Sequence, residues 1–86
     1  MRHARQDALD TLEPLLVALR ALPGVTEKSR GIFYRKSKSF LHFHEDTKGL
    51  FADLRVAALG DFQRIDVTAE AGRAALLTAV AAELKA

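Results

Sequence analysis

Residues 40–56, Phe-Leu-His-Phe-His-Glu-Asp-Thr-Lys-Gly-Leu-Phe-Ala-Asp-Leu-Arg-Val, decide the fold. Two runs of branched and aromatic residues flank Asp46-Thr47-Lys48-Gly49, a cluster of turn formers, and so predict a β-hairpin. A four-residue loop at 46–49 pairs Glu45 with Leu50, and that pairing fixes the register. Successive strand side chains point to opposite faces. Leu41 then meets Leu54 and Phe43 meets Ala52 on the apolar side. On the far side His44 meets Phe51, His42 meets Asp53 and Phe40 meets Arg55.

Working outward, Ile32 to Lys36 reads as the preceding strand, joined through a two-residue turn at Ser37-Lys38. That turn sets Phe33 beside His42 and Arg35 beside Phe40, both on the far side, with Tyr34 toward the core. Phe62 to Val67 gives a fourth strand, with Ile65 and Val67 sharing a face. Upstream, Leu9, Leu12, Leu16 and Leu19 recur at helical spacing and stop before Pro23-Gly24. Either Thr11 caps this helix with Pro14 in its first turn, or the helix starts near Asp7 and kinks at Pro14. Residues 1–5 are expected to fray. Downstream, Thr68 is placed as N-cap of a closing helix whose stripe is Leu77, Val80, Ala81 and Leu84, bordered by Leu76. Gly72 reads as a weak point of that helix. The expected fold is a single α+β domain over 1–86, in the order α-β-β-β-β-α, with a four-stranded antiparallel sheet and both helices on one face.

Composition narrows the function. Hydrophobic residues are 49% and charged residues 28% of the 86, a globular balance. A chain this short gains from pairing with a second copy. There is no cysteine, which excludes disulfides, cysteine-ligated zinc and thiol catalysis. The polar N-terminal segment and the short, interrupted apolar runs predict a soluble cytoplasmic protein without membrane association. No Gly-rich phosphate loop and no nucleophile elbow around Ser29, Ser37 or Ser39 is present, so no catalytic residue is assigned. The net charge of +2 is uneven: Lys28, Arg30, Arg35, Lys36 and Lys38 crowd one stretch without an acid among them.

The predicted far face thus holds Phe33, Arg35, Phe40, His42, His44, Phe51, Asp53 and Arg55. Water-facing sheets usually carry Thr, Lys, Glu and Gln, so three phenylalanines among charges point to a surface that is covered or binds. Three readings follow. The leading one is a non-enzymatic interaction module that homodimerises through this face, since aromatic and Arg residues are enriched at such interfaces. The second is nucleic-acid binding, with rings stacking on bases and Lys28, Arg30, Arg35, Lys36 and Lys38 meeting phosphates. In the third, His42, His44 and Asp53 hold a divalent metal, the one cofactor considered; a His-Asp pair would also suit acid–base chemistry.

A leading helix, the segment Leu22-Pro23-Gly24-Val25-Thr26-Glu27, Phe33 and Lys38 in a meander, and a closing helix together resemble the small MmcQ/YjbR-like proteins. The resemblance implies their α+β double-wing arrangement and a DNA-binding role. It transfers no active-site residue, and His42-Phe43-His44-Glu45-Asp46 has no fixed equivalent among them.

Overall fold

The computed structural model describes residues 2–85. Strand β1 (Arg2–His3) leads into helices α1 (Gln6–Thr11) and α2 (Glu13–Arg20). Strands β2 (Thr26–Ser29), β3 (Ile32–Arg35), β4 (Lys38–Asp46), β5 (Gly49–Val56) and β6 (Asp61–Asp66) follow, and helix α3 (Glu70–Lys85) closes the chain. The fold is α+β with an antiparallel sheet ordered β2-β3-β4-β5-β6, and β1 pairs with β4. The sheet therefore has more strands than the four expected. Strand β2, Thr-Glu-Lys-Ser, contains no apolar residue, so period-two hydrophobicity could not reveal it.

The two turns of the leading helix are separate helices. Leu12 sits between them at φ −88° and ψ 0°, and Pro14 occupies the first turn of α2. Pro14 has no N–H to bond the carbonyl four residues back, so a continuous helix would lose a hydrogen bond there and clash. Leu9, Leu12, Leu15, Leu16 and Leu19 still form one buried stripe. Nor do Arg2 and His3 fray, because they pair with Glu45 and His44, and Ala4 N–H donates to the Phe43 carbonyl.

Side chains from α1, α2 and α3 join Phe33, Phe40, Leu41, Phe43, Ala52, Leu54 and Val67 in one hydrophobic cluster. In α3 the fully buried residues are Leu76 and Val80, while Leu77 and Leu84 are only partly covered. Thr68 does not cap this helix: its hydroxyl donates to the Leu50 carbonyl and accepts from the Leu50 N–H. Gly72 is less a weakness than a requirement. A Cβ there would lie 1.9 Å from the Asp66 carbonyl oxygen, so only glycine lets α3 cross the chain at that point.

The β4–β5 register is the predicted one, with Leu41 opposite Leu54, His42 opposite Asp53 and His44 opposite Phe51. The β3–β4 register is not. Arg35 pairs with Lys38, so the turn is Lys36-Ser37, one residue earlier than expected, and the register shifts again before Phe33 pairs with Leu41. A one-residue slip exchanges the faces of a strand. Phe33 accordingly belongs to the core, at 1% exposure, and Phe40, unpaired at the irregularity, joins it at 3%. Arg35 reaches the α3 backbone, donating to the Glu83 carbonyl. No helix among the described residues is long and apolar enough to cross a membrane.

Candidate metal centre

With Phe33 and Phe40 inside, the polar side of the central hairpin is a small basin built around His42, His44 and Asp53. Strand alternation brings the two imidazoles to one face of β4, and the β5 register puts Asp53 beside them. His42 Nδ1 lies 2.9 Å from His44 Nε2, and His44 Nε2 lies 3.1 Å from Asp53 Oδ2. One ligand atom from each residue falls within 4.8 Å of the others.

Two neighbours complete the basin, neither of them assigned from sequence. Arg64, opposite Asp53 on β6, donates from Nε and an η nitrogen to the two Asp53 oxygens, each at 2.8 Å. Phe62 meets the His42 ring edge-on at 5.1 Å, and Arg55, its partner across β5 and β6, stacks on the Phe62 ring 4.5 Å from its centre. The signal for Arg64 and Phe62 was available: a four-residue connection at 57–60 pairs Val56 with Asp61 and so fixes which β6 side chains face Asp53. His3 also reaches the basin, its ring 4.8 Å from His44 and 5.6 Å from His42. A two-residue strand leaves no period to read, so nothing in the sequence placed it.

The electrostatics keep the ligand atoms in their electron-pair-donating forms. Burial pushes His42 down from the ordinary imidazole value, with the neighbouring His44 adding to the effect; burial likewise dominates for His44. The Arg64 guanidinium holds the Asp53 carboxyl below the usual carboxylate range against the opposing effect of burial. The result is two neutral rings and a carboxylate near pH 7.

His44 Nε2 therefore touches two partners at once. A neutral imidazole nitrogen either donates a proton or offers a lone pair, and cannot do both. If Nε2 carries hydrogen it serves Asp53, and His42 Nδ1 is left sharing that single proton. If Nε2 accepts from His42, its lone pair faces the carboxylate. A single proton at Nε2 therefore serves one of the two contacts at the expense of the other. No family model, curated protein or solved structure matches this chain. The double-wing resemblance consequently rests on its sequence motifs alone.

Of the remaining candidate residues, Arg35, Lys36, Lys38, Phe40 and Arg55 line one cavity, and the others are dispersed. Phe51 is half-buried opposite Asp66 and His44. In the basic stretch, Arg30 is tied to Asp10 and Glu13 by ion pairs of 2.7 and 2.8 Å and donates to Gln6. Lys28 Nζ lies 5.3 Å over the Tyr34 ring, and Arg35 turns toward α3. Sequence adjacency made these cations look like one unopposed patch, but folding brings acids from α1 and α2 onto Arg30.

Proposed function

We propose that this domain is a small metal-binding module that holds a divalent transition-metal ion through His42, His44 and Asp53. The observation that carries it is the double contact at His44 Nε2. Ligand atoms about 2.1 Å from a shared ion lie about 3.0–3.4 Å apart in octahedral or tetrahedral sites, close to the two short contacts above, and the wider His42–Asp53 pair has to close for all three to ligate. Two imidazoles and one carboxylate suit zinc or iron(II), nickel and cobalt over calcium or magnesium, which prefer oxygen. Arg64 orients the carboxylate by donating to both of its oxygens, as outer-shell partners of metal ligands do. In this reading the helices cover one face of the sheet and the basin on the other stays accessible from solution.

Homodimerisation through that same face is the second reading. Its support is narrower than the sequence suggested: Phe51 and Phe62 remain half-exposed there, and Phe33 and Phe40 do not. The two readings are compatible, since a partner could lie over the basin.

The test is a Co(II) titration of protein prepared without a histidine tag and stripped with chelator, followed by visible absorption and by elemental analysis. One ion per chain is expected, with d–d bands that disappear in His44→Ala and weaken in His42→Ala. Absence of saturable binding, or unchanged binding in both variants, would sink the metal reading. Sedimentation of Phe51→Glu beside wild type measures the dimer separately.

A further inference from the structure

A second site lies at the opposite end of β4, away from the histidines. Arg35, Lys36, Lys38, Ser39, Phe40, Arg55, Ala57 and Glu83 line a cavity of about 180 Å³. Phe40 and Ala57 are apolar parts of its lining, which among the described residues also holds four cations and one acid. That acid is already engaged: Glu83 Oε1 accepts the Ala57 N–H, and the Glu83 carbonyl accepts from Arg35. Arg55 is held in place by its Nε–H···O bond to the Ser39 carbonyl at 2.7 Å and by stacking on Phe62. Lys36 and Lys38 make no ion pair among the described residues.

A second observation points to the same place. Lys36 and Ser37 have φ of 52° and 67°, so both central residues of the hairpin turn are left-handed. Hairpins of this kind favour Asn-Gly, and a lysine and a serine there are strained. Such strain persists where the surroundings over-determine it and often accompanies function. Here the strained turn holds Lys36 and Lys38 at the mouth of an apolar cavity that already contains Arg55.

We infer that this cavity binds a small organic anion, with the carboxylate or phosphate between Lys36, Lys38 and Arg55 and an apolar ring or short chain against Phe40. The cavity is smaller than the roughly 300 Å³ at which drug-sized sites begin, so the ligand is a single ring or a few carbons. A nucleic-acid strand is disfavoured because the cations gather at one small cavity, and because Arg30 is paired elsewhere.

The experiment is an amide chemical-shift titration of the whole chain with benzoate, and with benzamide as its neutral counterpart. Benzoate should produce saturable shifts at Ser39, Phe40 and Ala57, and benzamide at least tenfold weaker ones. The exposed double variant Lys36→Gln, Lys38→Gln should keep the wild-type spectrum elsewhere and bind benzoate at least fivefold more weakly. Phenyl phosphate run in parallel distinguishes a phosphate from a carboxylate preference, and saturable binding of either supports the inference. Equal response to benzoate and benzamide, an unaffected double variant, or tighter binding of a single-stranded oligonucleotide at the same amides would overturn it.

Discussion

Two hairpins share β4, and they behave differently under inspection of the sequence. The turn between β4 and β5 carries its own instructions: Asp46 Oδ1 accepts the Lys48 N–H at 2.7 Å, and Gly49 takes a φ of 142°. The turn between β3 and β4 carries none, since Arg-Lys-Ser-Lys contains neither glycine, asparagine nor proline. Its position is set instead by what must be buried. Phe33 and Phe40 both enter the core, and the chain accepts two left-handed residues and a register shift to put them there. Where local turn chemistry is strong, register is readable locally; where it is weak, tertiary burial chooses.

The largest effect that could break this comparison concerns the two phenylalanines on which the hairpins disagree. Phe33→Ala should cost about 3–5 kcal/mol, as removal of a fully buried ring does. Phe51→Ala, half-exposed on the polar side, should cost about 1 kcal/mol or less. Urea melts of the two variants beside wild type measure both. Equal costs would mean that β3 keeps the register first expected, with Phe33 outside.

The same distinction explains how much of the candidate centre was legible. His42, His44 and Asp53 were placed together because alternation and the 46–49 turn suffice to align β4 with β5. Arg64 needed one further register, through 57–60, that follows by the same logic. His3 and strand β2 were beyond reach: two residues show no period, and Thr-Glu-Lys-Ser shows no hydrophobicity. Phe33, Phe40 and Arg35 were assigned to the wrong face for one reason, a register shift between Phe33 and Tyr34 that leaves Phe40 unpaired and that strict alternation does not reveal. Gly72 looked like a flaw because helix propensity ignores what a helix crosses.

A smaller effect sharpens the comparison by giving the second turn the chemistry it lacks. Lys36→Asn with Ser37→Gly supplies the pair that left-handed turns prefer, and should stabilise the domain by about 1–2 kcal/mol, the cost of left-handed backbone being relieved. The midpoint in urea should rise with an unchanged slope. The benzoate response should weaken, because Lys36 is lost. A variant no more stable than wild type would show that the turn is unstrained in solution.

The smallest effect distinguishes the polar sides of the two hairpins by pH, measured in chelator so that no ion intervenes. Burial lowers His42 and His44, so between their folded values and the unbound value of about 6.5 the unfolded chain holds more protons than the native one. Stability then rises with pH through that window, and is lost as pH falls from about 6.5 toward the folded values. The carboxylates act in the same direction but lower on the scale. Asp53, held down by Arg64, and Glu13, held down by Arg20 and Arg30, lose their contribution only as pH falls from about 4. The groups facing the two histidines are His3, Asp53 and Arg64. Urea melts between pH 5 and 7.5 should therefore show a slope that flattens in His42→Gln, His44→Gln, while the acid limb below pH 4 persists. An undiminished slope in that double variant would place the effect outside β4, and would remove the buried neutral imidazoles on which ligation by β4 depends.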